Sequence, residues 1–319
     1  MVKTDNIQEQ INVLEREVNF YSSDLPQQFP PGFRAADCYH LTEQENEVGQ
    51  REYWLWLEDL ADKNIDFISD ADYYQFAYSL GHFNGHFLSQ PSLPSTPWLR
   101  QNFVRDYVYK HEPHLELLFE QREYPLVRRA FPPAVVDDYA ELWRLREEYL
   151  STLAKLPQTL CHNDAQVTNL FLTTTQADQR EVVAIDWGIV GITSLGLDPA
   201  QLLWFSTNRL LFSPNLNREQ LSAREQAIFT GFLAGLQAQG WDGDSNLARL
   251  GYTAALLKQR MGSVRFAPIF LAETSFPRIA QHLRDAGMTI EDLADNFGQR
   301  SQFFADLFQE SLALRDALL

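Results

Sequence analysis

His162, Asp164 and Asn169 are spaced as H-x-D-x-x-x-x-N, and 17 residues beyond the asparagine stands the triplet Asp186-Trp187-Gly188. An aspartate can accept the proton of an attacking hydroxyl, and an amide oxygen with a second carboxylate forms a hard donor pair for a cation such as Mg²⁺. Four residues between Asp164 and Asn169 let a loop turn back on itself, so that the asparagine can face the same ion as the later carboxylate. Each residue alone is common in caps and turns. In this order, with a hairpin between them, they point to phosphoryl transfer: Asp164 as base, Asn169 and Asp186 as metal ligands. His162 is the second candidate of the loop, and its expected part is to orient the loop by hydrogen bonds.

A hairpin must return Asp186 to the loop, and the sequence supplies strand-like runs at Asn169–Thr173 and Val182–Ile185 around the polar turn Thr174–Arg180. Upstream, Ile7, Ile11, Leu14, Val18 and Tyr21 recur at spacings of four and three behind the caps Thr4 and Asp5, which predicts an amphipathic helix stopped near Pro26. Two strand-like runs, Phe33–Leu41 and Tyr53–Glu58, flank the acidic stretch Thr42–Gln50, read as a hairpin loop. From Asp70 the pattern is helical: Tyr73–Leu88, then, beyond the break Pro91–Pro97, Leu99–Lys110, Glu112–Glu120 and Val135–Ala154. Further helices are expected at Pro199–Leu211, Ala223–Gln239, Ser245–Met261 and Ile290–Leu319. The order predicts an α+β fold of two lobes, a small part over 1–62 and a mostly helical part over 63–319, with the boundary near residues 59–70.

The chain has 319 residues, 45% of them apolar, with 22 Phe, 12 Tyr and 7 Trp, which supports a large folded core and excludes disorder over most of its length. Lys plus Arg number 26 against 43 Asp plus Glu, a net charge of −17 that argues against nucleic acid and anionic membranes as partners. Cys38 and Cys161 are the only cysteines, far from a disulfide scaffold, and no apolar run reaches the length of a membrane helix. A cytoplasmic location is therefore expected. Gly188, Gly191 and Gly196 do not fit G-x-G-x-x-G, and H-E-x-x-H, C-x-x-C and G-x-S-x-G are absent.

The loop and triplet match those used by kinases, and over most of its length the chain resembles the aminoglycoside phosphotransferase and choline kinase-like group. Arg16-Glu17-Val18-Asn19-Phe20-Tyr21 is similar to that group's helix before its middle strands, and Trp56-Leu57-Glu58-Asp59-Leu60 to the strand-to-hinge segment against which adenine lies. Leu80-Gly81-His82-Phe83-Asn84-Gly85 resembles its first large-lobe helix, and Gly196-Leu197-Asp198-Pro199-Ala200 the turn after the metal triplet. The resemblance implies a protein kinase-like fold, ATP and Mg²⁺ as cofactors, adenine contacts from the backbone near Glu58, Asp59 and Leu60, and a hydroxylated small molecule as substrate. It also implies that Asp198 caps a helix and braces the loop.

In such kinases a helix Glu pairs with a phosphate-binding Lys, here Glu17 with Lys3, the only one of five lysines that precedes it; a solvated terminal lysine is the other reading. No glycine precedes Gly32, so the Gly-rich loop that covers the ATP phosphates is expected to be missing. A longer kinase, a reduced kinase of weak activity and a non-catalytic kinase-like binding or scaffold protein all meet that description. The acidic balance and Trp98, Trp143, Trp204 and Trp241 lean toward a cationic substrate, although aromatics at helical spacing usually serve the core.

Overall fold

A computed structural model describes residues 7–47, 49, 51–60, 68–175, 178, 180–207, 216–271 and 276–318. Chain packing divides them into two compact units. The first comprises Met1–Gln101, Gln158–Thr193 and Ile228–Asp242, and the second Asn102–Pro157, Ser194–Ala227 and Gly243–Leu319. The first unit thus groups the expected 1–62 segment with the His162–Asn169 loop and the Asp186-Trp187-Gly188 triplet.

In the first unit, helix α1 (Ile7–Ser22) leads through a 3₁₀ turn at Pro26–Gln28 to β1 (Phe33–Ala35), β2 (Cys38–Glu45) and β3 (Arg51–Leu57). Strands β2 and β3 pair antiparallel, with Glu43 opposite Tyr53 and Glu45 opposite Arg51. The first four residues of the acidic stretch, 42–45, are therefore strand and not loop. The largely exposed positions of β2 tolerate Glu, so acidic composition does not mark where the turn begins. Helix α2 (Asp70–Leu88) opens with a capping box in which Ser69 and Asp72 satisfy each other's backbone amides. Gly81 lets α2 touch a second helix, α9 (Arg218–Ala238): a Cβ there would strike the carbonyl of Phe232.

Three short strands complete this unit around the loop: β4 (Gln158–Cys161), β5 (Leu170–Thr174) and β6 (Arg180–Ala184), followed by β7 (Gly191–Ser194) at the boundary between units. β6 lies between β1, parallel, and β5, antiparallel. The paired strands β4 and β7 carry four residues each and no alternation, so nothing in the sequence set them apart. Phe20, Phe33, Phe83, Phe87 and Trp187 form a fully buried aromatic cluster, ring against ring.

The second unit is helical: α3 (Phe103–Lys110), α4 (Glu112–Gln121), α5 (Pro125–Ala130), α6 (Pro133–Arg144), α7 (Arg146–Lys155), α8 (Leu197–Thr207), the first half of α9, α10 (Ser245–Ser263), α11 (Pro277–Ala286) and α12 (Ile290–Leu318). The single helix expected over 135–154 is broken at Leu145 (φ −90°, ψ 3°). Leu99–Asn102 is not helical, because Arg100 bridges in parallel to Gly191. Among the described residues no helix is long and apolar enough to cross a membrane.

Candidate functional site

β4 is anchored from α2: Thr159 Oγ1 donates to the Asn84 carbonyl at 2.7 Å, and Asn84 Nδ2 donates to the Leu160 carbonyl at 2.9 Å. The loop then turns at Asn163, whose φ of 66° lies in the left-handed region that asparagine tolerates. Its side chain donates to the Ile189 carbonyl (2.8 Å) and accepts from Thr193 Oγ1 (3.0 Å), tying the loop to the segment after the triplet. His162 is fully buried. Its Nε2 donates to the Ile185 carbonyl at 2.9 Å, and its Nδ1 accepts the Asp164 amide at 3.2 Å, which fixes the tautomer and uses both ring nitrogens.

Asp164 is half-buried. Its Oδ2 accepts from Asn169 Nδ2 at 3.1 Å and from Gln166 Nε2 at 3.0 Å, and its main-chain carbonyl takes a second contact from Asn169 Nδ2 at 3.1 Å. With its NH₂ end committed to Asp164, the Asn169 amide has its oxygen left, which accepts a long contact from Thr168 Oγ1 at 3.4 Å and keeps a second lone pair for a cation.

Asp186 follows β6 with φ 63°, a strained conformation held from both sides. On one side β6 delivers Ile185, whose amide donates to the Asn169 carbonyl at 3.0 Å. On the other, α1 grips the next two residues: Glu17 Oε1 accepts the Trp187 amide at 3.3 Å, and Arg16 Nη1 donates to the Gly188 carbonyl at 2.6 Å. Arg16 Nε also donates to the Trp98 carbonyl at 2.7 Å. The contact requires glycine at 188, since a Cβ there would sit 2.5 Å from Val13 Cγ1. Trp187 is fully buried, stacked on Phe20 (centroids 4.5 Å, planes 10° apart) and packed against the His162 ring at 4.4 Å.

Burial, and next the negative charge of Asp164, raise the affinity of the Asp186 carboxyl for a proton. Burial and the nearby Asp186 push the Glu17 carboxyl up to about 7. Among the described residues, Asp164, Asp186 and Glu17 form no ion pair with a lysine or arginine, and the buried Tyr21 hydroxyl close to Glu17 and Asp186 has no hydrogen-bond partner. Crowded carboxylates with no lysine or arginine partner among the described residues suit a bound cation. No group of three or more His, Cys, Asp or Glu among the described residues could hold a metal alone.

The structure thus brings His162, Asp164, Asn169, Asp186 and Glu17 together in one unit. Glu58 lies at the end of β3, where its carboxylate takes both terminal nitrogens of Arg34 (2.5 and 2.8 Å) and the Asp37 amide (3.1 Å), while its own amide donates to the Asp37 carbonyl (2.8 Å). Asp59 and Leu60 continue from it without regular structure. Asp198 is fully buried in the first turn of α8. Lys3 lies outside the described residues. Sequence reasoning gave no role of their own to Arg16 and Gln166. Gln166 stood inside the motif, two residues past Asp164, whereas a buried arginine in an amphipathic helix leaves no periodic signal.

The pattern of the phosphotransferase enzyme family, APH, matches residues 31–231, and the chain belongs to that family. Its fold is the protein kinase-like α+β fold with small sheets and a large helical part. Among solved structures it is similar to a microcompartment-associated aminopropanol kinase, at 12% identity over 96% of this chain and 85% of that one with a TM-score of 0.54. The amicoumacin kinase hAmiN, solved with AMP-PNP, Ca²⁺ and Ami, is 14% identical over 91% and 78% of the two chains (TM-score 0.48). An ethanolamine kinase of Plasmodium vivax is 14% identical over 96% and 74% (TM-score 0.48). No curated protein matches the chain.

Proposed function

We propose that the chain is an ATP- and Mg²⁺-dependent phosphotransferase acting on a hydroxyl of a small molecule. The observation that carries this reading is the shared hydrogen-bond network of Asp164 and Asn169 set beside the Asp186 carboxylate, with no lysine or arginine paired to either acid among the described residues. Asp164 orients the hydroxyl and takes its proton as the new bond to phosphorus forms. Asn169, through its amide oxygen, and Asp186 are the residues that would hold Mg²⁺, which supplies charge neutralisation at the transferring phosphoryl group. His162, with both nitrogens engaged, orients the loop. The backbone from Glu58 to Leu60 would meet adenine, with 1–62 acting as the small lobe and 63–319 as the large one, and Glu17 and Lys3 would serve the phosphates. A cytoplasmic location and a cationic, hydroxylated acceptor are consistent with the acidic composition.

A thermal melt with Mg²⁺ and ATP tests the nucleotide part, because a ligand bound only by the folded state raises the midpoint. A rise at millimolar nucleotide that is lost without Mg²⁺ is expected. Absence of any rise favours a kinase-like scaffold.

A further inference from the structure

Two side-chain amides converge on a single oxygen of the candidate base. Gln166 Nε2 and Asn169 Nδ2 stand 3.0 and 3.1 Å from Asp164 Oδ2, and among the described residues no hydrogen bond reaches Oδ1. The backbone makes this possible: the Gln166 amide donates to the Asp164 carbonyl at 2.8 Å, and the Asn169 amide to the Gln166 carbonyl at 2.8 Å, so two successive tight turns bring both side chains back over residue 164. A carboxylate with one oxygen doubly hydrogen-bonded cannot rotate without breaking both contacts, and each charge-assisted contact is stronger than a neutral one.

We propose that Gln166 is a positioning residue that, with Asn169, anchors Oδ2 and leaves Oδ1 as the oxygen that receives the substrate proton. The inference rests on the phosphotransfer reading. In that step the acceptor O–H bond breaks as its O–P bond forms, the proton passes to Oδ1, and the bond between the γ-phosphorus and the bridging oxygen breaks with its electron pair leaving on the nucleoside diphosphate. Gln166 touches none of the reacting atoms. It sets which oxygen of the base faces them, so it should affect kcat and leave ground-state binding alone.

The test compares the wild-type chain with Gln166→Met, which keeps length and removes the donor, and Gln166→Lys, which returns an N–H donor. Expected are a kcat lowered about 10- to 100-fold in the Met variant, nucleotide and acceptor KM within about twofold, a melting midpoint within about 2 °C, and partial recovery of kcat in the Lys variant. A readout independent of turnover is the ¹³C resonance of the Asp164 carboxyl, assigned by its loss in Asp164→Asn. It should move in Gln166→Met. An unmoved resonance, or an unchanged kcat, overturns the inference. Failure of the wild-type chain to transfer phosphate counts against the proposed function, while the resonance still decides the role of Gln166.

Discussion

Nδ2 of Asn169 lies 3.1 Å from Oδ2 of Asp164, so the residue expected to hold the metal is also a hydrogen-bond donor to the residue expected to act as base. The two roles divide between the two ends of one amide. Asn169→Leu removes both ends and should lower turnover by at least about 100-fold while raising the Mg²⁺ concentration for half-maximal rate. Asn169→Asp returns an oxygen ligand but no N–H donor. It should restore part of the Mg²⁺ affinity without restoring the rate. Steady-state kinetics against Mg²⁺ concentration separates the two effects.

Glu17 gives a pH signature. Its carboxyl, ordinarily near 4.5, is pushed up to about 7 by burial and by Asp186, so the folded chain holds a proton there that the unfolded chain has released. A raised acid costs stability as pH climbs from about 4.5 to 7, and below that window the cost is absent. Glu17→Gln should therefore gain stability relative to wild type across this range, by an amount on the order of 1–3 kcal/mol near neutrality. Chemical denaturation at pH 4.5, 6 and 7.5 checks it, and a difference constant with pH contradicts it.

The legible part of the site was the part written in consecutive residues. Asp164 and Asn169 share one loop and Asp186 follows one hairpin, so their types and spacing could be read directly, and α1 was marked by its apolar stripe. What holds them was not legible, because Arg16 meets Gly188 across 172 positions and Asn84 meets Leu160 across 76. The four-residue strands β4 and β7 are too short to show alternation. Helix α11 has no counterpart among the helices expected from the sequence, and the break at Leu145 separates two helices that both favour the same pattern.

Arg16 should be structural in its main effect. Its guanidinium satisfies the carbonyls of Gly188 and Trp98, and Arg16→Met leaves those acceptors without it in a buried setting. A loss of about 2–4 kcal/mol in equilibrium unfolding is expected. Gly188→Ala provides an independent check on the same contact, since its methyl group meets Val13 and overpacking should cost about 1–3 kcal/mol.

The Arg34 and Glu58 pair fixes the end of β3 against β1. Both side chains are partly exposed, at 33% and 19%, which limits the attraction, while the two-pronged geometry strengthens it. A double-mutant cycle with Arg34→Met and Glu58→Gln should give a coupling of about 1 kcal/mol, only mildly reduced by added salt. If residues 58–60 meet adenine as proposed, either variant should also raise the nucleotide KM with kcat little changed.

Asp164→Asn addresses the proposed chemistry most directly. It keeps the size of the side chain and removes the proton acceptor. Mg²⁺- and ATP-dependent phosphorylation of a panel of hydroxylated amines is measured for this variant beside the wild-type chain, together with the nucleotide-induced rise in melting midpoint. Transfer reduced by at least about 1,000-fold in the variant, with the rise retained, is the expected result. Equal transfer by the variant and the wild-type chain would contradict the assignment of Asp164 as the base.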